Sequence, residues 1–191
     1  IIGHSEISSD ECDKLKKTFN YTFHVTIADT TKKCFAAENR NRACEFSNCD
    51  YISFIDADDQ MVCKKIEIIW DIINKYNPLC IVHNWSASKH VIDKNFICPE
   101  TEKIVFGKQL HNLCKNTEGK KLHLNGKICH GHSTIKKDVI KSIKFDESFK
   151  FRRGQDSKFI RDILNSFPPN DNTMIFIDLP LSYYIPSQRQ K

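Results

Sequence analysis

Short continuous apolar runs, each followed by a stretch with helical spacing, recur along the first half of the chain. The opening segment, IIGHSEISSDECDKLKKTF, predicts the tail of a strand, a turn and a helix. Ser8 and Glu11 stand at capping-box spacing, and Cys12, Leu15 and Phe19 follow at intervals that share one helix face. FHVTIAD (23–29) predicts a short strand ending in an acid, and FAAENRNRACEFSNC (35–49) predicts a helix. YISFI (51–55) is a continuous apolar strand of the kind covered on both faces in a parallel sheet. CKKIEIIWDIINKYN predicts a helix stopped by Pro78, with Ile66, Ile69, Trp70 and Ile73 on its apolar face. LCIVHNW (79–85) predicts another buried strand.

The second half is less regular. Residues 86–127 are polar, with strand signal at KIVF and helix signal at FGKQLHNLC. HSTIKKDVIKSI (132–143) predicts a short helix. GQDSKFIRDILNSF (154–167) predicts a helix with Phe159, Ile160, Ile163 and Leu164 facing inward, and TMIFIDLPLSYYI (173–185) one or two closing strands. Strand–helix alternation of this kind predicts an α/β domain with a mainly parallel sheet.

Composition narrows the class. At 191 residues, 40% hydrophobic and 28% charged, the chain is long enough and apolar enough for one globular core. It begins at Ile1 within an apolar segment, which leaves open that it is a piece of a longer multidomain polypeptide. The net charge of +5 reads as a solvated lysine-rich surface or as attraction to an anionic ligand. No basic run is interleaved with aromatics, so no nucleic-acid partner is expected. No apolar run approaches the ~20 residues of a transmembrane helix. Nine cysteines are scattered singly without a CxxC pair, so reduced thiols and a cytoplasmic setting are expected, with peripheral membrane association left open. CHGH (129–132) reads as a loop with incidental histidines rather than a metal site.

The chemistry concentrates in IDADDQM, where Asp56, Asp58 and Asp59 crowd three carboxylates into four positions. Like charges side by side destabilise a fold unless something positive sits among them. Asp29 and Asp56 both fall at predicted carboxyl ends of strands, where open α/β sheets bind ligands. If the backbone stays extended past Ile55, Asp56 and Asp58 point the same way. Two hard oxygen donors suit Mg²⁺ or Mn²⁺ completed by water and substrate phosphates. An acidic turn that caps the next helix explains DADD equally well on its own. A calcium loop places Asp56, Asp58 and Glu67 at positions 1, 3 and 12, but Met61 stands where that loop requires glycine. A sugar nucleotidyltransferase would want a glycine-rich phosphate loop where IIGHSEISSDE offers only Gly3.

NRNRACEFSNCDYISFIDADD resembles the helix–strand–acid segment of family 2 glycosyltransferases. Arg40-Asn41-Arg42-Ala43 stands for that family's RNRG step, Asp50-Tyr51-Ile52 for EYI, and Asp56-Ala57-Asp58-Asp59 for DxDD. FHVTIAD is similar to the second strand, IKFDESFKFRRGQDSKFIRDIL to the FDE…GED region before the last helix, and LPLSYYIPSQRQ to the closing segment. The chain departs from the family at its first strand, reduced to IIGHSE, at Asp29-Thr30-Thr31 in place of DDGS, and at Gln155-Asp156 in place of ED.

The resemblance implies a Rossmann-like GT-A fold: a central, mainly parallel mixed sheet flanked by helices. Residues 1–191 would form one catalytic domain, with a nucleotide-sugar-binding half (1–85) and an acceptor-binding half (86–191). It implies transfer of a hexose from a nucleotide sugar to a glycan or other hydroxyl acceptor, with inversion. UDP-sugar is the first choice of donor among UDP, GDP and dTDP sugars. Gly3, His4, Asp29, Arg40, Asp56, Ala57 and Asp58 would bind the donor, Asp58 with Asp56 would hold Mn²⁺ or Mg²⁺, and Asp156 would be the general base. Asp59 is left with a capping role. A non-catalytic nucleotide-sugar-binding domain and a nucleotidyltransferase remain as alternatives.

Overall fold

The computed structural model describes residues 2–3, 8–18, 26–28, 32–56, 59–86, 104–107, 132–148, 155–168 and 170–184. His4, Asp29, Ala57 and Asp58 lie outside the described residues, as does most of the polar 86–127 segment.

In chain order the elements are β1 (Ile2–Gly3), α1 (Ser9–Thr18), β2 (Ile27–Ala28), α2 (Ala36–Glu45), β3 (Tyr51–Ser53), β4 (Gln60–Met61), α3 (Lys65–Tyr76), β5 (Cys80–Ser86), β6 (Ile104–Phe106), β7 (Ser133–Lys136), α4 (Lys137–Ser142), α5 (Gln155–Ser166) and β8 (Met174–Tyr183). The capping box forms as expected: the Ser8 amide donates to the Glu11 carboxylate at 2.9 Å, and the Glu11 amide donates back to Ser8 Oγ at 3.3 Å. α3 ends where Asn77 adopts a left-handed φ of 44°, ahead of Pro78.

β1 and β2 pair in parallel. The main sheet runs β3-β7-β5-β8-β4, with β6 also on β8. It is mixed and has helices on both faces, the architecture expected. Among the described pairings, however, β1–β2 and β5–β8 are parallel while β3–β7, β4–β8, β5–β7 and β6–β8 are antiparallel.

Alternation along β5 and β8 divides the core. Cys80, Val82, Met174 and Phe176 pack with residues of α2, α4 and α5, including Ala37, Ile140, Phe159 and Ile163. Ile81, Ile175, Ile177, Leu179 and Leu181 pack with Ile68, Ile69 and Ile72 of α3. Pro180, opposite Asn84, falls at a register irregularity of the β5–β8 pair, where a missing N–H is tolerated.

Two local expectations are corrected. HSTIKKDVIKSI is not one helix: Ser133–Lys136 form a strand inserted between β3 and β5, and only then does α4 begin. Pairing on both sides outweighs the local helical spacing. The inward face of α3 carries Lys65, Ile68, Ile69 and Ile72, while Ile66 and Trp70 are exposed. Both stripes follow i, i+3, i+4, i+7 spacing and differ by one residue, so periodicity alone does not choose between them. The buried stripe is the one whose lysine finds polar partners inside.

Candidate active site

Each residue of the Arg40-Asn41-Arg42 run on α2 is tied to a different part of the fold. Arg42 donates from Nη2 to the Ala28 carbonyl at 3.2 Å, fastening the helix to the end of β2, next to Asp29 in the chain. Asn41, buried at 4% exposure, donates from Nδ2 to the Phe145 carbonyl at 2.9 Å and accepts the Phe145 amide on Oδ1 at 3.0 Å. It thereby pins the FDES segment to α2. Gly3 passes so close to α2 that a Cβ there would lie 2.5 Å from the Asn39 carbonyl oxygen. Its role visible in the structure is this close approach.

Arg40 reaches the acids. Its Nη2 donates to Asp56 Oδ1 at 2.6 Å and its Nη1 to Asp156 Oδ1 at 3.0 Å. Asp56 follows β3 and Asp156 sits in the first turn of α5, so three elements converge on one guanidinium. Burial disfavours the Arg40 charge, but Asp156 and Asp56 outweigh it and push its pKa above the usual arginine range. The guanidinium carbon also lies 5.4 Å from the centre of the Phe145 ring. That ring stacks on Phe159 of α5 at 3.9 Å and meets Phe54, two residues before Asp56, edge-on at 5.2 Å. An aromatic brace thus fixes the strand, the helix and the arginine that join at the acids.

The expected capping role of Asp59 is corrected. α3 starts at Lys65, and its N-cap position is Lys64 with no side-chain cap. Asp59 Oδ2 instead lies 2.6 Å from His132 Nε2, both side chains being 1% exposed. The His132 ring stacks on His83 of β5, with centroids 5.5 Å apart. Lys65, wholly buried, donates to Ser182 Oγ at 3.3 Å. Burial pulls its pKa down to about 8 against the opposing pull of Asp59. His132 is held below its ordinary value by burial and by Lys65, with Asp59 and Asp56 opposing. No periodicity points to this cluster, because it is assembled from residues 59, 65, 83, 132 and 182.

The crowded acids are therefore relieved in two ways: Arg40 supplies positive charge to Asp56, and Asp59 is hydrogen-bonded inside the protein by His132 with Lys65 nearby. The Asp56 side chain stays 32% exposed with Arg40 on one oxygen, so it fits a hard-oxygen contribution to a cation completed by phosphate and water. Among the described residues no three His, Cys, Asp or Glu side chains form a metal-binding group by themselves. No helix among them is long and apolar enough to cross a membrane.

Solved structures share this fold. S. aureus TarS 1-349 matches with a TM-score of 0.63 at 12% identity, over 93% of this chain and 48% of that one. The complex of S. aureus TarS 1-349 with UDP-GlcNAc matches with a TM-score of 0.60 at 11% identity, over 97% of this chain and 49% of that one. The likeness establishes the GT-A fold, and the chain spans about half the length of these neighbours. No curated protein sequence matches it. The model of glycosyl transferase family 2 matches residues 4–143, which is more than half of the chain and stops short of Asp156. The chain belongs to glycosyl transferase family 2.

Proposed function

We propose that the chain is the catalytic domain of a glycosyltransferase that moves a sugar from a nucleotide sugar, a UDP-sugar first, to an acceptor hydroxyl with inversion. The observation that carries this reading is Arg40 bridging Asp56 and Asp156. It brings the acid that follows β3 and the acid in the first turn of α5 to one point, although 100 positions separate them in the chain. TarS supplies independent support for the nucleotide, since that protein has been solved with UDP-GlcNAc.

Asp56 binds ribose hydroxyls and, with Asp58, holds Mn²⁺ or Mg²⁺. Asp29, Gly3, His4 and Ala57 complete the donor contacts. When bound, the cation supplies Lewis-acid stabilisation of charge on the departing diphosphate. Arg40 offers the nucleoside a planar cation and holds the Asp156 carboxylate toward the site. Asp156 accepts the proton of the acceptor hydroxyl as its oxygen bonds to the anomeric carbon and the bond to the diphosphate breaks. The 86–191 half shapes the acceptor site.

The test is release of nucleoside diphosphate from a panel of nucleotide sugars with and without Mn²⁺. Metal-dependent release lost in Asp58→Ala supports transfer. Nucleotide-sugar binding without turnover would show a non-catalytic domain, and pyrophosphate release from a nucleoside triphosphate and a sugar phosphate would show a nucleotidyltransferase.

A further inference from the structure

We propose that His132 and Asp59 are positioning residues for the acidic turn, setting it for a divalent cation from behind without touching donor or acceptor. The inference rests on the reading of Asp56 and Asp58 as cation and ribose ligands.

The turn is closed by the Asp59 amide donating to the Asp56 carbonyl at 3.1 Å. Its two ends are held differently. At the front, Arg40 takes Asp56. At the back, His132 takes Asp59 inside the protein. The chain leaving the turn is sewn to β8, where Gln60 pairs with Tyr183 and Met61 with Ser182, and the Val62 amide donates to the Leu181 carbonyl at 3.1 Å. The chain entering it is sewn to the residue after His132, because the Phe54 amide donates to the Ser133 carbonyl at 2.9 Å. His132 is thus attached to the strand on one side and to Asp59 on the other. Asp59 is the residue after Asp58 in the sequence, and the proposed role acts through that one peptide bond.

The chemistry fits a fixed orientation rather than a general contribution to stability. An apolar residue at 59 would be easier to bury than a carboxylate, whose desolvation the pair must offset. His83 holds its own ring through Nδ1 and the Asn84 carbonyl at 2.7 Å, and its stack on His132 fixes the plane of the donor ring. Lys65 and Ser182 close the far side of the cluster. Groups hydrogen-bonded directly to metal ligands are worth about 10–100-fold in metal affinity, which sets the scale for a group acting one residue away.

The experiment compares UDP binding by calorimetry, with and without Mn²⁺, in the wild-type chain, His132→Ala and His132→Gln. Hydrogen exchange of the 54–62 segment is followed in each without ligand. Alanine should weaken Mn²⁺-assisted UDP binding about 10–100-fold. It should change Mn²⁺-free binding by less than about threefold and speed exchange across 54–62. Glutamine, whose Nε2 can still donate to Asp59, should restore most of both. If alanine unfolds the chain, His132→Phe keeps a ring on His83 without the donor and carries the same comparison. Mn²⁺-assisted binding within about threefold of wild type in a folded donor-less variant overturns the proposal and leaves the proposed function standing. A wild-type chain that binds no UDP with Mn²⁺ removes the cation reading itself, and the positioning role with it.

Discussion

The two ends of the acidic turn solve the same electrostatic problem in opposite ways. Asp56 keeps a third of its side chain in solvent and shares Arg40 with a second acid from a distant helix. Asp59, three residues on, is sealed from solvent with His132, near a buried lysine. The open end can exchange its partners for a ligand at lower cost than the sealed one, because the Asp56 carboxylate keeps contact with water even though Arg40 is largely buried. The sealed end cannot, since separating a buried pair strands a charge in a poor solvent. One end is left open to a ligand and the other is closed around its own partner.

That contrast is broken most severely at the open end. Asp156→Asn should cut turnover by about 10²–10⁴-fold, the range of a general base, with UDP affinity kept within a few-fold. Initial rates beside calorimetry separate the two, and an equal loss of both would remove the base assignment. Arg40→Ala should cost about 2 kcal/mol of stability, less than a fully buried pair because Asp56 is partly solvated. It should also weaken UDP binding, and Arg40→Lys should restore little, since a point charge cannot span two carboxylates. Urea titration reads the stability change.

Smaller effects sharpen the scaffold around both ends. Asn41→Ala should cost about 1–3 kcal/mol, because two backbone groups of Phe145 lose their partner in the interior. Gly3→Ala should cost about 1–3 kcal/mol through overpacking against the Asn39 carbonyl, read as a lowered thermal midpoint. The smallest is a pH effect at the sealed end. Lys65 has a folded pKa of about 8 against an ordinary 10.5. The unfolded chain therefore binds more protons between those values, and stability rises with pH across that window. Below about pH 8 the penalty is present in full. Lys65→Met should flatten the rise, measured as the urea midpoint from pH 7.5 to 10.5.

The sequence made the open end legible and hid the sealed one. Asp56 and Arg40 sit in one contiguous motif, and Asp156 in another whose order along the chain is recognisable. Helix-favouring composition placed α2, apolar periodicity placed α5 with its inward Phe159 and Ile163, and apolar runs placed β5 and β8. Asp59 was misread because a carboxylate before a helix usually caps it, whereas here a histidine 73 positions later claims it. The inward face of α3 was misread because two overlapping stripes satisfy the helical period, and the choice depended on packing against β8 and on Ser182, which no local window contains. Ser133–Lys136 became a strand because β3 and β5 flank it, again a long-range cause.

The central claim is that the Arg40–Asp56–Asp156 cluster is the donor nucleotide site. Its most direct test is a calorimetric titration of UDP, GDP and dTDP in the presence of Mn²⁺ into the wild-type chain and Arg40→Ala. Binding of at least one nucleotide, UDP first, weakened at least about tenfold by the substitution is the predicted result, a difference of ~1.4 kcal/mol or more. Absence of binding by all three, or equal binding by a folded Arg40→Ala chain, would contradict it.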